Sequence, residues 1–130
     1  MSRTSFIQHA GRQVVLFDFS GLSDPAESLR HVEEAKEFVR RLPADRSALV
    51  VTDVRGSRYN GQVLQALKEF AAHNTPYVAR SAVATDSGLH RIAILAVATF
   101  SGRALRGFPT REAALEWVVS GAEQTGQSAA

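Results

Sequence analysis

The 130-residue sequence contains no cysteine, which excludes disulfides, thiolate nucleophiles and cysteine-ligated metal sites. It also lacks a run of roughly 18–20 apolar residues, the length that a membrane-spanning helix needs. No apolar stretch of the signal-peptide type follows Met1, so we expect a cytoplasmic protein. Since 45% of the residues are hydrophobic, the chain should fold as one globular domain rather than remain disordered.

Several signatures of nucleic-acid binding and of catalysis are also missing. A net charge of +2 is too small to indicate a nucleic-acid partner, and no alternation of aromatic and basic residues suggests single-strand binding. Neither a phosphate-binding Gly-x-x-x-x-Gly-Lys loop nor a Gly-x-Ser-x-Gly nucleophile motif is present. The histidines His9, His31, His73 and His90 are not spaced as metal ligands on one helix. We therefore expect no catalytic residues, no metal and no cofactor.

Hydrophobic periodicity predicts nine elements in the order β-β-α-β-α-β-α-β-α. Capping signals support this order: Asp24, Pro25 and Glu27 have the spacing of a helix start, and Pro43 lies where that helix should end. Strands that alternate with helices favour an α/β fold with a five-stranded, mixed but mostly parallel sheet. We assign residues 1–122 to a single domain and expect residues 123–130, which are small and polar, to form a disordered tail.

Short motifs along most of the chain carry a family resemblance. They are Val-Leu-Phe-Asp-Phe-Ser-Gly-Leu at 15–22, Thr-Asp-Val at 52–54, Leu-Lys-Glu-Phe-Ala at 67–71, Pro-Tyr-Val at 76–78, Ser-Gly-Arg at 101–103 and Phe-Pro-Thr-Arg-Glu-Ala at 108–113. With the element order, they resemble the STAS fold and, more closely, its SpoIIAA-like bacterial family. The resemblance implies a small protein without established enzymatic activity, related in architecture to the CRAL-TRIO lipid-binding domains. Such relatives are thought to bind hydrophobic ligands or membrane surfaces, or to act as protein-interaction modules.

The polar turn after the third strand is the first candidate site. Asp53 ends the strand, and Arg55, Ser57, Arg58, Tyr59 and Asn60 follow it before a helix. One interpretation is an anion site, or a regulatory serine at Ser57 whose phosphate would be favoured by both arginines and the helix dipole. The other is a solvated turn in which Asn60 or Ser57 caps the helix. The phosphorylatable STAS antagonists carry an Asp-Ser-Ser-Gly-type turn here, which this sequence lacks.

Two carboxylates near strand ends, Asp18 and Asp53, form a second candidate pair. Paired carboxylates can perform acid–base chemistry when the pKa of one is raised. Nothing in the sequence brings the two together, so the favoured interpretation is that each caps a loop.

The third predicted helix is apolar on two sides. Leu89, Ile92, Ala93, Ala96 and Phe100 form one stripe, which we assign to the core. Ile94 and Ala98 then point away from it, with Leu95 beside them, and Ile94 and Leu95 should be at least partly exposed. His90, Arg91 and Arg103 flank this strip. Such a basic-edged apolar strip suits a dimer contact, a ligand mouth or an anionic membrane surface. The alternative is a helix covered on both sides within the monomer.

The sequence thus predicts a non-enzymatic STAS-like binding module that engages a hydrophobic ligand or a membrane surface, as a homodimer. Its location would be cytoplasmic, peripheral to the membrane. The alternative is a regulatory protein–protein module of the anti-sigma-factor-antagonist type, switched by phosphorylation of Ser57.

Overall fold

A single five-stranded sheet organises the computed structural model, which describes residues 3–128 and, of these, the side chains up to residue 120. The strands lie side by side in chain order, with β1 antiparallel to β2 and every other neighbouring pair parallel. Their bounds are β1 Thr4–His9, β2 Arg12–Asp18, β3 Ala48–Asp53, β4 Val78–Ala84 and β5 Leu105–Phe108. The predicted α/β class and the mixed, mostly parallel sheet are confirmed.

Four helices connect or follow the strands in the predicted order. Their bounds are α1 Pro25–Arg40, α2 Gly61–Asn74, α3 Gly88–Ser101 and α4 Arg111–Ser128. Local capping fixes most of the ends: Asp24 accepts a hydrogen bond from the backbone N–H of Glu27, and Asn60 accepts one from Val63. At the end of α3, Gly102 adopts the left-handed conformation with φ of 70°.

The sheet separates two cores because alternate strand residues face opposite sides. On one side, Val14 and Leu16 pack with α4. On the other, Val15 and Phe17 pack with α1 and α2. Helix α3 lies on this second side, against α2 and β5. A bulge between β3 and β4, near Leu49, sets the register of the β4 side chains that follow.

The C-terminal helix extends beyond Gly121, where the sequence predicted its end. The expected disordered tail at 123–130 falls on positions whose side chains are outside the described part, and it stays a prediction. Within residues 3–128, no helix combines the length and apolar character needed to cross a membrane. The side chains described up to residue 120 include no cluster of three or more His, Asp or Glu residues that could hold a metal ion.

Candidate functional site

An apolar cavity of about 110 Å³ lies between the sheet and the helices α1, α2 and α3. Aromatic and aliphatic side chains from all of these elements line it, including Phe17, Phe70, Val83, Val97 and Leu105. For comparison, an engineered apolar cavity of ~150 Å³ binds benzene, whereas pockets for drug-sized ligands hold ~300–1,000 Å³. The cavity therefore has the size for a small apolar group.

Two arginines line this cavity next to the apolar residues: Arg58, which is exposed, and Arg103, which is half-buried. The Nη1 of Arg103 donates a hydrogen bond to the carbonyl oxygen of Ala71 at 2.9 Å, and its Nη2 donates to the hydroxyl of Ser81. Both acceptors are neutral, and no carboxylate in the described part of the chain pairs with this guanidinium. Arg103 is half-buried, and this partial burial lowers the pKa of its guanidinium.

His90 connects the N-terminal end of α3 to neighbouring segments next to the cavity through two hydrogen bonds. Its buried ring donates from Nε2 to the carbonyl oxygen of Ser57 at 2.9 Å, because that oxygen can only accept. The other nitrogen, Nδ1, then accepts from the hydroxyl of Thr85, also at 2.9 Å. A second link is made by Tyr59, whose hydroxyl donates to the carbonyl oxygen of Leu89 at 3.1 Å. The turn that follows β3 is thus linked directly to the start of α3.

The orientation of α3 corrects the sequence prediction. Leu89, Ile92 and Phe100 are not core residues: their side chains are 68%, 66% and 52% exposed. The buried residues of α3 are His90, Ala93 and Val97, and of these Ala93 belonged to the predicted core stripe. Because both sides of the helix are apolar, periodicity could not tell which one faces inward. The small residues are the ones that allow α3 to lie close to the sheet and α2.

The two residues expected on the exposed side of α3 differ from each other. Leu95 is 69% exposed, as predicted, and it continues the row formed by Leu89, Ile92 and Phe100. Ile94, by contrast, is half-buried and lines the cavity. Arg91 is exposed. We call Leu89, Ile92, Leu95 and Phe100 the outer stripe.

The turn after β3 is a capped turn, in agreement with the second interpretation of its sequence. Asn60 caps α2, and the hydroxyl of Ser57 donates to the carbonyl oxygen of Val54 at 2.7 Å. Arg58 is exposed and is among the residues that line the cavity. The guanidinium of Arg55 does not stand free for an anion, because it is paired with Asp53.

Asp53 is the centre of an ion network at the carboxyl ends of β2 and β3. Its side chain is fully buried and accepts hydrogen bonds from Arg55, through Nε and Nη2, and from Nε of Arg111. Arg111 also reaches Asp18 at 3.3 Å, and Asp18 and Asp53 are register partners. Burial acts to raise the pKa of Asp53, but the hydrogen bonds from both arginines outweigh it and lower that pKa. Each aspartate caps its loop, as the favoured interpretation held: Asp18 accepts a hydrogen bond from the backbone N–H of Ser20, and Asp53 accepts one from that of Arg55. In addition, Arg111 joins the two carboxylates.

A comparison with solved structures bears on this architecture. The chain is similar to the crystal structure of an uncharacterised protein of the DUF3478 family with a SpoIIAA-like fold, from Shewanella loihica PV-4. The TM-score is 0.66, and the match covers 88% of this chain and 91% of that one. This chain has a SpoIIAA-like fold. At 14% identity the likeness shows the fold alone. No protein-family model matches the sequence, and no curated protein matches it significantly.

The sequence resemblance to the SpoIIAA-like fold is thus confirmed, but two features of the site were not predicted from it. Arg111 belongs to one of the family motifs, but its hydrogen bond to Asp53, which lies 58 residues earlier in the sequence, was not predicted. The available signal was charge balance, because a carboxylate at the end of an apolar strand needs a cation. Arg103 was part of another motif, and its place in the cavity depends on how four segments pack.

Proposed function

We propose that this SpoIIAA-like protein is a non-enzymatic binding module that takes a small hydrophobic ligand into the cavity beneath α3. The cavity itself is the observation that carries the proposal, since well-packed interiors contain few voids larger than a water molecule. The hydrogen bonds of His90 and Tyr59 hold α3 above it. A ligand that enters or leaves from this side would have to disturb these contacts.

A cavity-filling variant tests this proposal. Ala71 is buried and lines the cavity, whereas its neighbour Ala72 on the same helix is exposed. We expect wild-type protein and Ala72→Leu to bind hexan-1-ol. Changes in the NMR chemical shifts of the methyl groups of Val97 and Leu105 measure this binding. Ala71→Leu should bind it far more weakly, because the added side chain occupies the space. Equal affinity in both variants, or no binding by the wild type, would overturn the proposal.

Copurified material gives an independent test. Mass spectrometry of the native protein should show a small apolar compound, and mild denaturation should release it. Val97→Ala enlarges the cavity, so this variant should accept a longer alcohol than the wild type does.

The non-enzymatic part of the proposal is supported by the state of Asp53. A general base must reach the proton that it abstracts. The oxygens of Asp53 are fully buried and already accept hydrogen bonds from Arg55 and Arg111. This carboxylate is therefore poorly placed to meet a substrate, and we expect no hydrolysis of esters, phosphoesters or peptides.

The outer stripe of α3 favours a second candidate function, contact with an anionic membrane surface. The helix carries Arg91 and no carboxylate, and Lys68 lies 5.9 Å from the ring centroid of Phe100. Burying the four exposed side chains of the stripe would contribute roughly 5 kcal/mol before the cost of association is counted. This candidate function would place the protein in the cytoplasm, at the periphery of the membrane.

Vesicle sedimentation tests the membrane contact. Wild-type protein should sediment with phosphatidylglycerol vesicles and less with phosphatidylcholine vesicles. Leu95→Glu should abolish sedimentation, and Ala72→Glu, the same charge change at an exposed position of α2, should not. If Leu95→Glu instead converts a dimer into a monomer in analytical ultracentrifugation, the stripe is a homodimer contact.

The alternative of a serine-switched regulatory module stays a prediction. The hydroxyl of Ser57 is engaged with Val54, and Arg55 is engaged with Asp53. Phosphorylation would therefore have to break a formed hydrogen bond, and Arg58 would be the neighbouring counter-charge in the turn.

A further inference from the structure

Of the two arginines that line the apolar cavity, Arg58 is exposed to solvent, whereas Arg103 is half-buried and has no counter-charge among the described side chains. Other arginines at the sheet ends are paired: Arg55 and Arg111 both bind the carboxylate of Asp53. Arg103 instead binds the carbonyl oxygen of Ala71 and the hydroxyl of Ser81. Even partial burial of a charge costs free energy when no group of opposite charge compensates it. An arginine in this position therefore suggests that the missing counter-charge comes from outside the chain.

Contacts of the neighbouring backbone and of the side chain itself fix the position of the Arg103 guanidinium. Gly102 ends α3 in the left-handed conformation, and the hydroxyl of Ser101 accepts a hydrogen bond from the backbone N–H of Arg103. The side chain then spans from α2, at Ala71, to β4, at Ser81. A guanidinium has five N–H donors, so the two used here leave about three for another acceptor.

The chemistry of such a ligand follows from the two parts of its binding site, the guanidinium of Arg103 and the apolar walls of the cavity. Carboxylates match the planar fork of a guanidinium and form charge-assisted hydrogen bonds with it. The rest of the cavity offers mainly aromatic and aliphatic walls, including Phe70 and Val97. At about 110 Å³ the space suits an apolar group of about five carbons, by comparison with the ~150 Å³ cavity that binds benzene.

We infer that the ligand is an amphipathic carboxylate, whose charged group binds Arg103 and whose short apolar part fills the cavity beneath α3. This inference rests on the proposed binding of a hydrophobic ligand and names its chemical class.

A matched pair of probes separates this inference from the proposal on which it rests. Hexanoate and hexan-1-ol have the same chain length and differ in charge, and acetate carries the charge without the chain. In NMR titrations that follow the methyl groups of Val97 and Leu105, wild-type protein should bind hexanoate about tenfold or more tighter than hexan-1-ol. Acetate should bind much more weakly than hexanoate, because it leaves the apolar cavity unfilled.

Substitution of Arg103 assigns the effect to this residue. Arg103→Met should weaken hexanoate binding about tenfold or more while hexan-1-ol binding changes by less than about threefold. Arg103→Lys keeps the charge and loses the planar fork, so it should recover part of the preference. Because the wild-type preference is measured without any variant, the test remains decisive if Arg103→Met fails to fold.

Each remaining outcome has a defined meaning. Equal binding of hexanoate and hexan-1-ol overturns the inference and leaves the hydrophobic cavity proposal standing. Binding of neither probe overturns both. A preference for hexanoate that survives in a folded Arg103→Met variant refutes the assignment to Arg103. Acetate binding as tight as that of hexanoate would mean a simple anion site and would refute the amphipathic ligand.

Discussion

Substitution of Asp53 by asparagine should reveal how much the ion network contributes to stability. The wild-type carboxylate is 0% exposed and receives N–H groups from Arg55 and Arg111 at 2.9–3.1 Å. The asparagine side chain would keep one oxygen acceptor and would turn an amide NH₂ group toward two cations. The perturbation thus removes the charge at the centre of the network with almost no change in volume.

The expected loss is about 3 kcal/mol in the free energy of unfolding. Breaking a buried ion pair by removing one partner typically costs ~3–5 kcal/mol. The lower end applies here because the side chains of Arg55 and Arg111 are 36% and 34% exposed, so water can reach them when the carboxylate is gone. For a domain of this size, the same loss lowers Tm by about 10 °C.

The pH dependence gives the sign of the effect. The pKa of Asp53 is lowered in the folded protein, so its contribution is fully present above the unfolded pKa of ~3.9. That contribution is lost as the pH falls through the folded pKa, below that value. The stability difference between wild type and Asp53→Asn should therefore be largest near neutral pH and smaller at about pH 3.

Urea unfolding followed by circular dichroism at both pH values measures these differences. Asp18→Asn is the matched control, because Asp18 is 35% exposed and contacts Arg111 at 3.3 Å. It should cost less than about 1 kcal/mol. If Asp53→Asn costs no more than Asp18→Asn, or if its cost does not shrink in acid, the network does not stabilise the fold in the way described.

Four further predictions concern α3 and the turn after β3. Leu95→Glu should change Tm little, whereas Ile94→Glu should lower it clearly, because Ile94 faces the cavity; equal losses would contradict the orientation of α3. Gly102→Ala should cost about 1 kcal/mol in thermal unfolding, since φ of 70° is strained for alanine, and a neutral result would argue against that conformation. Ser57→Ala should lose about 1 kcal/mol with its bond to Val54. If Ser57 is a switch, incubation with a bacterial kinase lysate should yield phosphoserine there by mass spectrometry, and its absence would count against the switch.

Local sequence signals predicted the elements and their order. Asp24, Pro25 and Asn60 act on backbone groups within a few residues, so their positions in the sequence suffice to indicate where helices begin. The capped character of the turn at 55–61 was also among the stated interpretations for this reason. The cavity was not predicted, because several separate segments contribute to its walls.

The direction in which α3 faces shows the limit of periodicity most clearly. Its sequence offers two apolar sides, and the larger residues of one side, such as Leu89 and Ile92, were assigned to the core. In the structure Leu89 and Ile92 are exposed. Ala93 of the same predicted stripe is instead buried together with Val97, and these two residues permit a closer approach to the sheet. The choice depends on the space left by α2 and β5, which no local pattern encodes.

The sequence by itself therefore determined the class of fold, the order of its elements and most of their ends, since these depend on contacts within a few residues. Tertiary structure decided which side of α3 is buried, that Arg111 joins Asp18 to Asp53, and that Arg103 lies at an apolar cavity. The physical reason is that these features depend on close packing and on charges that meet across long sequence separations. Both are determined only when the helices pack against the sheet.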